Sequence, residues 1–282
     1  MSSLRQQMIE LMVLNGLAVN TQKAYLHHIT QLANYFHQSP DKINEEQLRE
    51  YLLYCHQGKQ WSYSSCRQFI HAARFMFDRV LKRPISKGKL PFPRREEKIP
   101  ELLSRKDVHR IFNCCPDLKY LTSLKLAYGT GIRVSEISQL KVKDLDGERG
   151  VIRVLNGKGN KDREIDFTDG VKNILRTYWR EYHPVNWLFY SRTPQSPLTK
   201  GCFQKAYTRA KLKAEVHKSG GIHGLRHAYA THQLENGMPL PQLQHQLGHA
   251  QVSTTLRYTR WIKCQFNDKG DTFDLLKNNQ LT

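Results

Sequence analysis

Residues Gly221 to Tyr258 read GIHGLRHAYATHQLENGMPLPQLQHQLGHAQVSTTLRY. This stretch gathers His223 and Arg226 at H-x-x-R spacing, the triplet Leu247, Gly248 and His249, and Tyr258. These groups suit chemistry at a phosphodiester. A planar guanidinium can grip two phosphate oxygens, a histidine can donate a hydrogen bond or move a proton near neutral pH, and a tyrosine hydroxyl can attack. Plainer readings of the same residues stand beside this one. His223 with His227, and His245 with His249, have the H-x-x-x-H spacing that a helix turns into a pair of metal ligands. With no H-E-x-x-H motif and no evident carboxylate as third ligand, no metal is expected. Tyr258 can equally be a core tyrosine in the first or second turn of a helix capped by Ser253, Thr254 and Thr255. His227, Tyr229 and His232 read as packing or locally bonded residues around the box.

Composition narrows the partner. Lys and Arg total 44 against 25 Asp and Glu, a formal net charge of +19, while 39% of residues are apolar. That is a folded basic chain, long enough for two domains, and nucleic acid is the first polyanion to consider. No apolar run is long enough to span a bilayer and the N-terminal MSSLRQQMIELMVLNG is amphipathic, so a cytoplasmic protein with no membrane partner is expected. Six cysteines without a C-x-x-C pair argue against a zinc ribbon or a disulfide framework.

Upstream, the pattern is helical. Leu4, Met8, Leu11 and Met12 mark a helix over residues 3–14 that ends near Gly16. A second, capped by Asn20 or Thr21, lays Tyr25, Leu26, Ile29, Leu32, Ala33 and Phe36 on one face and leaves Lys23, His27 and His28 outside. Asn44 and Gln47 form a capping box for a third, buried through Leu48, Tyr51, Leu52 and Cys55. A fourth from Tyr63 to Lys82 buries Cys66, Phe69, Ile70, Ala73 and Phe77 and carries Arg67, Arg74 and Arg79 outward as candidate phosphate contacts or merely solvated charges. These helices predict a small all-α domain over 1–85. Residues 86–99, with two prolines among basic residues, read as a linker suited to a clamp around a duplex.

The second domain, 100–282, is expected to be mainly helical with a small sheet, giving an α+β chain overall. Ser104 and Asp107 cap a helix through Val108, Ile111 and Phe112, and a helix over 118–128 buries Leu118, Leu121, Leu124 and Leu126. Gly129-Thr130-Gly131 then breaks the chain, placing Arg133 beside a glycine turn and Glu136 one turn further on. Val151 to Leu155 and Arg163 to Phe167 alternate around Asn156-Gly157-Lys158-Gly159-Asn160, a hairpin with Lys158 at its tip. No third glycine and no following helix support a dinucleotide loop there. A helix over 171–182, a strand at Trp187 to Phe189 and a basic helix from Thr199 to Ala214 follow. On that last helix Phe203 and Ala206 face inward, and Lys200, Lys205 and Arg209 are candidates to lie along DNA.

Arg133 after Gly-Thr-Gly, Lys158 within Gly-Lys-Gly-Asn-Lys, His223 and Arg226, Leu247-Gly248-His249 and Tyr258 form an ordered set that resembles the tyrosine recombinase (phage integrase) family over nearly the whole chain. The resemblance implies an N-terminal helical core-binding domain and a C-terminal catalytic domain that cuts and rejoins DNA through a 3′-phosphotyrosine. It implies Tyr258 as nucleophile, Arg133 and Arg226 on the scissile phosphate, Lys158 as acid to the leaving 5′ oxygen, His223 assisting proton transfer, His249 bonding the phosphate and Glu136 orienting the arginine helix. It further implies a double-stranded recombination site as partner, no cofactor, and a homotetramer, or dimer of dimers, on DNA. A tail from about residue 260, carrying Trp261, Ile262, Phe266, Phe273, Leu275 and Leu276, would dock on a neighbouring protomer or fold back on its own domain. The first helix begins almost at residue 1, so an added arm-binding domain is not expected. A type IB topoisomerase and a DNA-binding protein without catalysis are the competing functions.

Overall fold

The computed structural model describes residues 3–86, 88–94, 101–155 and 162–261. The chain divides into two compact units, Met1–Lys98 and Ile99–Thr282. Lys87 and residues 95–99 of the expected linker, the 156–160 turn with Lys158, and the tail beyond Trp261 lie outside the described residues.

The first unit is built from α1 (Ser3–Leu14), α2 (Val19–Phe36), α3 (Glu45–Leu53) and α4 (Tyr63–Arg74), with π-helical turns extending α3 over Tyr54–Gly58 and α4 over Phe75–Val80. The Asn44 side chain accepts the Gln47 N–H at 2.9 Å and Gln47 Oε1 accepts the Asn44 N–H at 3.0 Å, so α3 starts where its local chemistry dictates. The expected faces of α3 and α4 meet in one core of Leu48, Tyr51, Cys66, Phe69, Ile70 and Phe77.

Two details differ. α2 begins at Val19, with Ala18 before it and no side-chain cap; the Thr21 and Gln22 N–H groups bond directly to the Ala18 carbonyl. His28 is inside, not outside: it is 7% exposed, and its ring packs edge-on to Trp61 at 5.2 Å and Phe69 at 6.3 Å. Trp61, from the turn before α4, widens the apolar face of α2 beyond what the spacing within α2 reveals. Leu90 joins this core, and Phe92 lies under the Arg74 guanidinium at 5.3 Å, which commits Arg74 to a cation–π contact. Arg67 and Arg79 are exposed.

The second unit runs α5 (Arg105–Asn113), α6 (Leu118–Thr130), α7 (Val134–Ile137), β1 (Leu145–Asp146), β2 (Val151–Val154), β3 (Arg163–Asp166), α8 (Asp169–Tyr182), α9 (Lys200–Lys213), α10 (His223–Glu235), α11 (Leu240–Leu247) and α12 (Val252–Thr259). The sheet is antiparallel in the order β1-β2-β3, with Ile152 opposite Ile165. β1 is an addition to the expected hairpin. Trp187 to Phe189 is not a strand; Trp187 makes an isolated bridge to Lys141, too short a pairing to propagate. α6 persists through Thr130, and Gly131 alone leaves it in a left-handed conformation, φ +67°. Leu124 and Leu126 are buried, whereas Leu118 and Leu121 are half-buried at the helix start. Ser253 and Thr254 lie within α12 rather than capping it, and Thr255 is buried. α10 packs against α6, α11 and α12, and α11 packs against β3. Those contacts bring the segments bearing the candidate residues together.

Candidate active site

Gly131 fixes the first arginine. A Cβ there would lie 2.5 Å from the Tyr229 ring and 2.9 Å from Leu247, so only glycine lets α6 end against α10 and α11. Two residues on, Arg133 opens α7. Its backbone N–H donates to Glu136 Oε2 at 2.9 Å, its Nη1 to Glu136 Oε1 at 3.0 Å and its Nη2 to the Gly248 carbonyl at 3.2 Å.

Arg226, in the first turn of α10, is 2% exposed. Its fork is spent on backbone: Nη1 donates to the Gly131 carbonyl and Nη2 to the Leu247 carbonyl, each at 2.6 Å. Burial and then Arg133 lower its pKa to about 10, which leaves it charged at neutral pH. Arg226 Nη2 also meets His249 Nε2 at 3.0 Å, and His249 Nδ1 meets Thr255 Oγ1 at 2.9 Å. A guanidinium only donates, so His249 Nε2 accepts and Nδ1 carries the proton toward Thr255. Both ring nitrogens of His249 are therefore engaged within the protein.

Tyr258, on α12, is 4% exposed. Its hydroxyl lies 3.0 Å from His227 Nδ1, its ring stacks parallel to His249 at 6.2 Å, and Trp261 stands perpendicular to it at 5.4 Å. Burial raises the phenol's pKa, and Arg226, Arg133 and Arg257 oppose that rise. The nucleophile candidate is thus a neutral phenol shielded from water. His223 holds the exposed first position of α10 and packs edge-on to His227 at 4.6 Å. Desolvation, then Arg226 and Arg133, lower its pKa.

His227, read from sequence as a packing residue, is the histidine at the tyrosine hydroxyl. Its position i+4 from His223 was the available signal, since that spacing shares a helix face. A second unexpected residue is Arg163, at the start of β3. It grips Glu136 with Nη1 on Oε1 and Nη2 on Oε2, both at 2.8 Å. Burial pushes the Glu136 carboxyl up, but Arg163 and then Arg133 overcome this and hold it at about 2. Strand alternation puts Arg163 on the face of fully buried Ile165, which was the sequence signal.

Asp162, Arg163, Gln244, His245, Gly248 and His249 line a cavity of about 430 Å³ beside this cluster. A larger cleft of about 590 Å³, containing Lys143, Arg153, Lys172, Arg176 and Trp179, shares no residue with it. Lys200, Lys205 and Arg209 are exposed along α9. Among the described residues, no group of three His, Cys, Asp or Glu side chains is placed to hold a metal, and no helix is long and apolar enough to cross a membrane.

The histidines give the site an acid limit. Burial first, then neighbouring positive charge, lowers both His227 and His249 to about 4. Unfolding restores a value of about 6.5, so between pH 6.5 and 4 the unfolded chain binds more protons and stability falls as pH falls. Solvent screening at these half-buried rings keeps the contribution of each below about 3 kcal/mol. Urea unfolding at pH 7 and pH 5 is expected to show a lower midpoint at pH 5, with a smaller difference in His249→Gln. Equal midpoints for the wild-type chain would contradict this account.

Comparison with known proteins follows the same lines. Residues 101–263 match the phage integrase family and residues 4–87 match the phage integrase N-terminal SAM-like domain. The tyrosine recombinase XerD of Staphylococcus epidermidis is 33% identical, covering 89% of this chain and 90% of its own. Of solved structures, XerA recombinase aligns at 26% identity with a TM-score of 0.53, covering 91% of this chain and 92% of its own. The Tn1549 transposon integrase, in complex with a circular intermediate DNA, aligns at 19% identity with a TM-score of 0.73, covering 92% and 95%. That last likeness is one of fold.

Proposed function

The chain belongs to the phage integrase family and is a tyrosine recombinase that cuts and rejoins duplex DNA at defined sites; on that footing we propose that Tyr258 is its nucleophile. The observation that carries this reading is the Tyr258 hydroxyl, 3.0 Å from His227 Nδ1 and attended by the charges of Arg226 and Arg133. The phenolic oxygen attacks the scissile phosphorus, the bond to the 5′ oxygen breaks, and a 3′-phosphotyrosine forms. His227 takes the phenolic proton and His223, edge-on to it, assists the transfer toward solvent. Negative charge arriving with the phosphate raises the proton affinity of both rings. Lys158 supplies the proton that the leaving 5′ oxygen takes up.

Arg133 and Arg226 bear on the phosphate and stabilise the charge that builds in the pentavalent transition state. When the phosphate competes for Arg226 Nη2, His249 is released to bond the phosphate as well. A 5′ hydroxyl from the partner duplex then attacks the phosphotyrosine and returns the proton to Tyr258. The phosphodiester's bond energy is kept in the covalent intermediate, so the reaction calls for no cofactor. Exchange between two duplexes requires four such sites, hence a homotetramer, or dimer of dimers, on DNA. Residues 1–85 serve as the core-binding domain and 100–282 as the catalytic domain, joined by 86–99. Arg67, Arg79, Lys200, Lys205 and Arg209 are the proposed backbone contacts, with Arg74 contributing past its stack on Phe92. A cytoplasmic location is proposed, in keeping with DNA as substrate.

The test is a set of nicked duplexes carrying candidate sites, incubated with the protein and resolved under denaturing conditions. The expected result is a covalent adduct whose DNA-bearing peptide contains Tyr258, together with exchange of strands between two sites. Relaxation of supercoils on arbitrary DNA without exchange would point to a topoisomerase, and no adduct on any duplex would leave a DNA-binding protein.

A further inference from the structure

The residue that the proposed chemistry leaves unused is Arg163. It is one of the least exposed charged side chains of the catalytic unit: in its ion pair with Glu136 each side chain is 9% exposed. Its fork meets both carboxylate oxygens at 2.8 Å. Its stem lies on Gly248, where a Cβ would come within 2.5 Å of Arg163 Cδ and 2.6 Å of Nε. Gly248, left-handed at φ +61°, in turn accepts the Arg133 Nη2 donor and precedes His249. Glycine at this turn therefore serves Arg163 as much as the turn itself.

The bookkeeping of donors at Glu136 shows what Arg163 does. Oε1 accepts from Arg133 Nη1 and Arg163 Nη1, and Oε2 accepts from the Arg133 backbone N–H and Arg163 Nη2. All four favourable accepting directions of the carboxylate are filled. Arg133 thus reaches Glu136 through one side-chain bond, with its other prong on the Gly248 carbonyl, while the fork–fork geometry, the strongest that a carboxylate offers, belongs to Arg163. Two guanidiniums share one carboxylate, so the triad keeps a net positive charge. Were Arg163 removed, Glu136 would be free to close two-pronged on Arg133 and cancel the charge meant for the phosphate.

We propose that Arg163 is a positioning residue for DNA cleavage, which occupies Glu136 so that Arg133 is aimed at the scissile phosphate without being neutralised. This rests on the assignment of Arg133 to the phosphate above. Arg163 also begins β3, so one side chain ties that strand to the arginine cluster.

Single-turnover adduct formation at saturating nicked duplex, with DNA affinity measured separately, tests it. Arg163→Gln is expected to slow adduct formation about 100-fold, the scale on which a lost transition-state donor acts. Affinity should stay within about threefold, because the Arg163 fork is spent on Glu136. The deciding arm is Glu136→Gln in the Arg163→Gln background. A neutral amide cannot cancel Arg133, so the double variant should cleave about fivefold or more faster than Arg163→Gln alone. A residue that only supports packing predicts the reverse, a double variant no faster than the single. Should Arg163→Gln fail to fold, judged by its thermal transition, Arg163→Lys carries the same comparison with and without Glu136→Gln. Wild-type cleavage by the single variants, or no recovery in the double, overturns the proposal. If the wild-type chain forms no Tyr258 adduct, the functional reading fails and the role of Arg163 falls with it.

Discussion

Tyr258→Phe is expected to lose covalent capture of DNA by on the order of 10⁴-fold or more, while binding the same duplex as tightly as the wild-type chain. The substitution removes one oxygen and leaves the ring where it is, parallel to His249 at 6.2 Å and perpendicular to Trp261 at 5.4 Å. What is lost is the nucleophile and the bond to His227 Nδ1 at 3.0 Å. A buried hydrogen bond of this kind is worth about 1 kcal/mol net, too little to unfold the domain. Denaturing gels on nicked duplexes report the adduct, and fluorescence anisotropy at fixed salt reports binding. An adduct that survives in Tyr258→Phe and maps to another residue would displace Tyr258 from the mechanism.

The burial of Tyr258 also bears on when the reaction can start. With burial raising its pKa and only 4% of the residue exposed, the free chain holds the proposed nucleophile protonated and buried. His249 is closed in the same way, with one nitrogen on Arg226 and the other on Thr255. A phosphate that engages Arg226 must disturb the bond to His249, whose ring lies flat against Tyr258. On the proposed mechanism, opening of the tyrosine is coupled by contact to phosphate binding.

How far sequence could foresee this depends on the range over which each feature is decided. The caps at Asn44 and Ser104 are settled within four residues, and both form with their partners Gln47 and Asp107. Gly131 declared a turn by its identity, and the alternation in 151–155 and 163–167 declared two strands. What stayed hidden depends on tertiary crossing. Which of His223 and His227 meets the tyrosine is fixed by how α12 lies across α10, and periodicity within α10 makes them equivalent. Arg163 stands at an inward position of its strand, but a charge there reads as solvated until its carboxylate partner, 27 residues earlier, is brought beside it. His28 is inside for the same kind of reason, since the aromatic wall that covers it comes from Trp61 and Phe69, outside its own helix. Motif order carried the expected chemistry, and packing is what brings His227 to the Tyr258 hydroxyl and Arg163 to Glu136.

Arg226 is the position where the proposed catalysis and the fold depend on the same atoms, so its replacement should damage both. The residue is 2% exposed, and its guanidinium donates to two backbone carbonyls, Gly131 and Leu247, at 2.6 Å, and to His249 at 3.0 Å. These carbonyls belong to the turns ending α6 and α11, which set out Arg133 and His249 respectively. Arg226→Gln would leave at least one carbonyl unpaired in the interior, at about 1–3 kcal/mol for each such group. Arg226→Lys keeps a charge but offers a compact ammonium in place of the planar fork, and it cannot span two carbonyls while facing a phosphate. Cleavage in either variant should fall about 10³-fold or more, because transition-state charge loses its buried donor and Arg133 loses its frame. Urea unfolding should show both variants less stable by about 2–4 kcal/mol, the range for breaking a buried charged network. Adduct formation by Arg226→Lys near the wild-type rate would mean that charge alone suffices, and the geometric role assigned to the fork would be withdrawn.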